Sequence, residues 1–132
     1  MLVNGRSGYL LDTNILIAIL SQKAPPQGRV LKGRLYLSVI TLGELHYGAH
    51  KSSRVGQNIN RINTLVASLK LVYCNKGTAE HYGVIRNKLF AKGSPISPND
   101  IWIAATAIQY GLTLVTNDSD FNAVDGLLLE SW

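Results

Sequence analysis

Short apolar runs alternate with longer stretches of helical periodicity along this chain. The runs predict buried strands because each is bounded by glycine or polar residues. They cover residues 9–12, 35–38, 71–73, 112–116 and 127–130. The longer stretches predict helices over residues 14–21, 41–50, 54–69, 78–91 and 98–110, with one further helical turn over 119–123. Strands that alternate with helices favour an α/β sandwich around a parallel sheet.

Capping signals set several of the predicted helix ends. Thr41 followed by Glu44 has the spacing of a capping box, and Thr78 is the expected N-cap of the helix that it opens. Ser97 precedes Pro98 at the first helical position, and Gly111 is the expected stop. The segments APPQG (24–28) and GSPISP (93–98) predict loops.

Composition narrows the class of protein. With 132 residues, of which 46% are hydrophobic, one globular domain over residues 1–132 is expected. The longest apolar window, residues 101–115, is too short to span a bilayer, and the amino terminus does not have the pattern of a signal peptide. A single cysteine excludes an internal disulfide framework. We therefore expect a cytoplasmic protein.

Four acidic residues are predicted to meet at one edge of the sheet. Asp12 ends the first strand in LLDTNILI, Glu44 lies in the first turn of the predicted second helix, Asp100 opens the helix after GSPISP, and Asp118 follows the strand LTLVT. The carboxyl ends of parallel strands and the starts of the helices that follow them share an edge, which is where such folds bind ligands. Asp125 and Glu130 flank the final strand without such a placement.

Each of these acids also has a purely local interpretation. Glu44 could complete a capping box, Asp100 could serve the same purpose after Ser97, Asp118 could be a turn residue, and Asp12 could cap the helix it precedes. Four capping roles do not, however, predict a shared edge. A carboxylate pair about 4 Å apart costs about 4 kcal/mol at an effective dielectric constant of about 20. Helix amino termini offset about 0.3–1 kcal/mol each, so a cation is required.

An all-oxygen set of ligands favours Mg²⁺ or Mn²⁺ over zinc. His46, His50 and His81 are too dispersed to form a zinc site, no G-x-S-x-G supports a serine hydrolase, and no glycine-rich phosphate loop occurs. A divalent ion on carboxylates can supply a nucleophilic water for phosphodiester cleavage.

The net charge of +5 favours a polyanionic partner. Between Leu45 and Asn99 the chain has eight basic residues and one acid, Glu80. That segment could be a solvated basic face or a phosphate-binding surface beside an acidic centre. Arg86, Lys88 and Lys92 lie nearest in sequence to the loop before Asp100, which makes them the candidates for contacts with nucleic-acid phosphates. An acidic metal centre in a basic protein indicates a nuclease.

Several motifs taken together resemble the PIN domains, and more narrowly the VapC toxins of bacterial toxin–antitoxin pairs. They are LLDTNILI, TLGELHYGA (41–49), HYGVIRNKL (81–89), PNDIWIAATAIQYGLTLVTNDSDF (98–121) and GLLLESW (126–132). The match runs from about Tyr9 to Trp132. The resemblance implies a three-layer sandwich with a mostly parallel sheet of about five short strands flanked by helices.

The resemblance also implies a Mg²⁺- or Mn²⁺-dependent endoribonuclease that is inhibited by a cognate VapB-type antitoxin. Asp12, Glu44, Asp100 and Asp118 would be the catalytic and metal-binding acids. Asp12 and Asp100 would be the principal ligands, while Glu44 and Asp118 hold a water or a second ion. Asn14 and Thr116 match supporting positions. Asp120 would be a neighbour of the site, with the choice between Asp118 and Asp120 as the fourth acid left open by the sequence. The family commonly forms homodimers and toxin–antitoxin hetero-oligomers, and operator DNA would be reached only through the antitoxin.

Two other functions remain open on the sequence. The chain could be a weakly active or inactive PIN module that acts mainly as a partner in an antitoxin–DNA repressor complex. It could also be a nuclease acting on DNA. The RNA target, transfer or ribosomal, is not set by the metal ligands.

Overall fold

The computed structural model describes residues 8–21 and 34–132. The predicted loop at 24–28 and residues 1–7 lie outside these ranges. Five short strands form one sheet. They are β1 (Tyr9–Leu11), β2 (Leu35–Ser38), β3 (Lys70–Val72), β4 (Thr113–Val115) and β5 (Leu129–Glu130).

The strand order is β3-β2-β1-β4-β5, and every neighbouring pair is parallel. The first strand is therefore central, with the chain crossing over to either side of it. Leu11 pairs with Val115, and Leu10 pairs with Tyr36. This register brings Asp12 and Thr116, which directly follow β1 and β4, to the same edge.

Helices cover both faces of the sheet. Those described are α1 (Thr13–Leu20), α2 (Val39–Lys51), α3 (Val55–Ala67), α4 (Lys76–Ala91) and α5 (Pro98–Tyr110), with a 3₁₀ helix at Ser119–Ala123. Because side chains alternate along a strand, Leu10 and Leu114 pack with α4 and α5, whereas Leu11 and Val115 pack with the other three helices. The predicted three-layer α/β sandwich is confirmed.

The sequence misplaced the start of two helices. Ser38, at the end of β2, caps α2 by accepting a hydrogen bond from Thr41 N at 3.0 Å, so the helix begins two residues earlier than predicted. Thr41 is fully buried in the first turn and Glu44 lies in the second, so the Thr41–Glu44 capping box is wrong. The hydroxyl of Ser38, at the end of β2, caps this helix in place of the hydroxyl of Thr41.

The second misplaced start is that of α4. Asn75 is its N-cap, accepting from the backbone N–H of Gly77 and Thr78, and the Thr78 hydroxyl accepts in return from Asn75 N at 2.9 Å. Thr78 is therefore the third residue of a capping box rather than the cap. Asn75 precedes Thr78 by three residues, and asparagine is one of the most favoured residues at the N-cap position.

The limits of α5 agree with the prediction. Ser97 caps the helix, Pro98 occupies its first turn, and Gly111 ends it in a left-handed conformation with φ of 66°. That backbone conformation favours glycine because a Cβ would be strained there. The 3₁₀ turn at Ser119–Ala123 also forms as predicted. Among the helices in the described ranges, none combines the length and apolar character needed to cross a membrane.

Candidate metal centre

Asp12 is buried at the carboxyl end of the central strand, with 5% of its surface exposed. Its Oδ1 accepts from Thr13 N at 2.8 Å, and its Oδ2 accepts from Thr116 Oγ1 at 2.7 Å. Burial raises the pKa of Asp12; the two hydrogen bonds oppose that shift, and the charges of Glu44 and Asp118 add to it. Asp12 thus caps α1 and also faces other carboxylates, so the local interpretation and the functional one both apply.

Asp100 lies in the first turn of α5, where its backbone N–H donates to Ser97 Oγ at 3.3 Å. The cap orients the turn so that the carboxylate faces the same edge as Asp12. Burial raises the pKa of Asp100 to about 6, against the lowering effect of Ser97, and the charges of Asp12, Asp118 and Glu44 raise it further. The charges of Glu44 and Asp118 thus contribute to the raised pKa of both Asp12 and Asp100, which indicates that these carboxylates lie near one another.

Asp118 follows β4 and caps the 3₁₀ helix, accepting from Asp120 N at 2.9 Å. Its own backbone N–H donates to Thr116 Oγ1 at 3.0 Å. One carboxylate oxygen from each of Asp100, Asp118 and Asp120 lies within 4.8 Å of the others. The sequence left the choice between Asp118 and Asp120 as the fourth acid open, and the tight 3₁₀ turn brings both carboxylates into this group.

Glu44 reaches the site from the second turn of α2. Its Oε1 accepts from the hydroxyl of Thr13, and its Oε2 accepts from Asn99 Nδ2 at 3.1 Å. Both oxygens are therefore fixed by residues that adjoin Asp12 and Asp100 in the sequence. The single hydroxyl hydrogen of Thr13 is donated to the Glu44 carboxylate. In the 3.3 Å contact between the Thr13 and Thr41 hydroxyls, Thr41 is therefore the donor.

Thr13 and Asn99 are site residues that the sequence analysis missed. Each directly adjoins a predicted acid in the chain, and polar residues beside a buried carboxylate were the available signal. Asn14, predicted to support the centre, is exposed in the first turn of α1. Thr116 holds Asp12 and Asp118 together through one hydroxyl, which donates to the first and accepts from the second.

The three basic candidates do not form one patch. Arg86 donates to Tyr82 Oη at 2.8 Å, beside a Tyr82–Trp102 ring stack. Lys88 and Lys92 lie on the other side of α4, where Lys92 forms an ion pair with Asp125 at 3.2 Å. Residues two apart on a helix point in nearly opposite directions, which separates Arg86 from Lys88.

Glu130 was expected to have no place at this edge, and that expectation is wrong. The last strand is only Leu129–Glu130, and Glu130 pairs with Val115 at its carboxyl end. The Glu130 carbonyl accepts from Thr116 N at 2.9 Å, and Trp132 Nε1 donates to Glu130 Oε1 at 3.2 Å. Since β5 is parallel to β4, its end meets the same edge of the sheet.

Two concave surfaces adjoin the acids. A largely apolar groove of about 270 Å³ lies between α1, α2 and α3, with Glu44 at its border and Arg61 and Asn58 among its lining residues. A polar pocket of about 370 Å³ lies on the other side and includes Thr116, Asp118 and Glu130.

The donor set fits a hard divalent cation. The converging groups are carboxylate oxygens from Asp12, Glu44, Asp100, Asp118 and Asp120, and the cluster of three that lies within 4.8 Å contains neither histidine nor cysteine. Burial and mutual repulsion raise the pKa of Asp12 and of Asp100, and a bound cation would offset both effects.

Comparison with known proteins agrees with this geometry. The family profile described as the PIN domain matches residues 9–127. The chain is 36% identical to a tRNA(fMet)-specific endonuclease VapC from Shigella flexneri, over 94% of this chain and 97% of that protein. It is likewise 36% identical to a ribonuclease VapC2 from Haemophilus influenzae, with the same coverage of both chains.

Solved structures show the same similarity in three dimensions. A chain of VapBC2 from Rickettsia felis, bound to a DNA fragment from its promoter, superposes with a TM-score of 0.88 at 32% identity, covering 94% of this chain and 98% of that one. A chain of DNA-bound VapBC from Salmonella typhimurium also gives 0.88, at 33% identity, covering 95% and 98%.

Proposed function

The chain belongs to the PIN domain family and, within it, to the VapC ribonucleases, and on that premise we propose that it is the toxin of a type II toxin–antitoxin pair, acting as a metal-dependent endoribonuclease. One observation carries the proposal. Acidic side chains from four separate chain segments converge at the carboxyl edge of the sheet, where Asp12 and Asp100 are held with raised pKa values. Crowding of this kind opposes folding in the absence of a cation, which makes a purely structural role a poor account of it.

Asp12, Asp100 and Asp118 are the residues we assign to hold the ion, and Mg²⁺ is the ion we propose, with Mn²⁺ as a substitute. Asp120 is a further ligand candidate because its carboxylate lies within the same group. A divalent cation held here would place positive charge beside the phosphodiester oxygens and acidify a water molecule. The carboxylates fix where that charge lies.

The other polar groups orient the reacting partners. Glu44, held through both oxygens by Thr13 and Asn99, presents its charge in one direction and can accept a proton from the attacking water. The Thr116 hydroxyl donates to Asp12 and accepts from the backbone N–H of Asp118, so it links the ends of β1 and β4. Arg86, Lys88 and Lys92 stay candidates for phosphate contacts, on two separate faces of α4.

The partner we assign is a VapB-type antitoxin, since both solved relatives above are VapBC complexes. Two features of this chain would receive it. The apolar groove beside Glu44 can bury a hydrophobic segment, and the acidic edge can accept an arginine through charge-assisted hydrogen bonds. Homodimer formation and a toxin–antitoxin hetero-oligomer are part of the same proposal.

For the substrate, the Shigella relative is named as specific for tRNA(fMet), so transfer RNA is the first class to test here, with ribosomal RNA as the alternative. The experiment is a brief induction of the chain in cells without an antitoxin, followed by sequencing of RNA ends. We expect growth arrest and new ends at one or a few sites. An Asp12→Asn variant should produce neither, and co-expression of the cognate antitoxin should abolish both.

A second function has an observation in its favour. The Rickettsia felis and Salmonella typhimurium relatives are both bound to DNA in their complexes. This chain could therefore serve mainly as a partner in an antitoxin–DNA repressor complex. Induction would then cause no RNA cleavage, and the Asp12→Asn variant would behave like the wild-type chain.

A further inference from the structure

We propose that the polar pocket beside Asp118 binds one nucleobase of the RNA next to the cleaved phosphodiester and so contributes to base preference. The inference rests on the proposed ribonuclease function, which it deepens by assigning a subsite to part of the substrate.

The pocket is continuous with the acidic centre. It has a volume of about 370 Å³, and Thr116 and Asp118 form one of its sides. Pockets of about 300–1,000 Å³ accommodate small ligands, and a nucleobase with its ribose is within that range. A nucleotide whose phosphate lies at the carboxylates would therefore have its base within reach of this pocket.

Four neutral hydrogen-bonding side chains and Leu129 also line the pocket. Asn117, Ser119, Asn122 and Ser131 are all exposed, and within the described residues none of their side chains makes a hydrogen bond. An amide offers both a donor and an acceptor, and a hydroxyl can act as either. Base edges present donors and acceptors in base-specific patterns, so this lining can distinguish one base from another.

The charges of the pocket favour the uncharged part of a nucleotide. Asp118 and Glu130 are its two carboxylates, and it contains no lysine or arginine among its described lining residues. A second phosphate would be repelled there, whereas a base or ribose would not. Trp132 donates to Glu130 and packs edge-to-face on Tyr9 at 5.4 Å, which fixes this wall of the pocket.

The polar pocket differs in chemistry from the groove on the other side of the acids. That groove is lined mainly by aliphatic residues of α1, α2 and α3, which suits apolar side chains of a polypeptide. The pocket beside Asp118 has one aliphatic lining residue, Leu129, and its other lining residues carry hydrogen-bonding groups, which suits a base edge better. The pocket beside Asp118 thus suits a nucleobase, and the apolar groove beside Glu44 suits a polypeptide segment.

Two measurements test the pocket independently of one another. In the first, the four nucleoside 5′-monophosphates, which have no phosphodiester to cleave, are titrated into the chain with Mg²⁺ present, and the side-chain amide resonances of Asn117 and Asn122 are followed by NMR. We expect shifts whose size depends on the base. In the second, a random-sequence RNA pool is cleaved and the bases that flank each cut are counted.

The variant for both measurements is Asn122→Ala, with Asn63→Ala on the exposed face of α3 as the matched control. Loss of one base-reading hydrogen bond should reduce the cleavage ratio between favoured and disfavoured bases about fivefold. The control should keep the wild-type ratio. Adding Ser131→Ala should reduce the ratio further.

The proposal is overturned if the monophosphates leave both amide resonances in place, or if the double variant cleaves with wild-type base preference. Movement of those resonances by the antitoxin but not by nucleotides would assign the pocket to the antitoxin and also overturn it. Absence of any cleavage by the wild-type chain would instead contradict the proposed ribonuclease function, while the titration would still decide whether the pocket binds a base.

Discussion

Thr116 shows how much of the centre depends on one uncharged group. Its hydroxyl donates to Asp12 Oδ2 and accepts from Asp118 N, so it joins the ends of β1 and the 3₁₀ helix. Replacement by valine keeps the shape but removes both contacts. We expect Thr116→Val to lower Mg²⁺ affinity or cleavage by about 10- to 100-fold, as is typical when a group that orients metal ligands is lost.

Isothermal titration with Mg²⁺ and a cleavage assay check that expectation together. Thr116→Ser should restore most of the loss, because it keeps the hydroxyl. Thr64→Val on α3, where the hydroxyl bonds only to the exposed backbone of its own helix, is the matched control. Wild-type metal affinity and cleavage in Thr116→Val would contradict this role.

Asp100 makes metal binding depend on pH. Its pKa of about 6 in the metal-free protein means that protons compete with the cation below that pH. Near pH 5 about one molecule in ten has this carboxylate ionised, so Mg²⁺ affinity should be about tenfold weaker than at pH 7. Burial also raises the pKa of Asp12, the other proposed principal ligand. Titrations at several pH values test this, and an affinity that is flat between pH 5 and 7 would contradict it.

The same raised pKa affects the stability of the metal-free protein. The folded state keeps the proton of Asp100 up to about pH 6, whereas the unfolded chain releases it near the ordinary aspartate pKa of 3.8. Between these values the folded state binds more protons, so its stability falls as the pH rises. Asp100→Asn should therefore raise the melting temperature in EDTA at pH 7.5 by a few degrees and abolish cleavage.

Asp125→Asn is the control for that stability measurement, because Asp125 is paired with Lys92 and lies outside the acidic cluster. It should leave both the melting temperature and the cleavage close to those of the wild type. A lower melting temperature for metal-free Asp100→Asn would contradict the idea that the carboxylates repel one another.

Among the elements, α5 has the most direct influence on the site. Ser97 Oγ accepts from Asp100 N, so one hydroxyl both caps the helix and orients the first turn that presents the carboxylate. Ser97→Ala should lower the free energy of unfolding by about 1 kcal/mol, which is typical of a lost N-cap. It should also weaken Mg²⁺ binding, because Asp100 loses its fixed position.

Urea denaturation and Mg²⁺ titration measure the two effects of Ser97→Ala. Ser97→Asp, which can also cap, should recover the stability. Ser68→Ala, at the exposed end of α3, is a control in which neither property should change much. A Ser97→Ala protein with unchanged unfolding free energy would show that the cap contributes little.

Element-level prediction succeeded where one signal dominated. Ser97-Pro98 and Gly111 bound α5 without a competing cap, and both limits were predicted. At the starts of α2 and α4, two residues that can cap a helix lie three positions apart: Ser38 and Thr41 for α2, Asn75 and Thr78 for α4. Local sequence did not decide which of each pair is the N-cap. The choice depended on which side chain the strand end or loop left free to reach the backbone.

At the scale of the whole molecule, parallel strand order explains why the acids could be predicted to converge. The rule that parallel strands share a carboxyl edge needed only the strand assignments, and it placed Asp12 and Asp118 correctly at that edge. Asp100 was placed there by the predicted start of α5. It failed for Glu130 because the last strand is two residues long and its end could not be located from a run of leucines. The partners of Glu44, Thr13 and Asn99, depend on side-chain directions that spacing does not specify.

The central claim is that the acidic edge cleaves RNA with the help of a divalent cation. The most direct measurement is cleavage of a purified transfer RNA by the purified chain, freed of antitoxin. The assay is run with Mg²⁺ and with EDTA, and the Asp12→Asn and Asp125→Asn variants are measured in parallel. We predict that the wild type and Asp125→Asn cleave the RNA in Mg²⁺ and that neither cleaves it in EDTA. The Asp12→Asn variant should fold normally and cleave more than about 100-fold more slowly than the wild type in Mg²⁺. Cleavage that persists in EDTA or in Asp12→Asn would contradict the account.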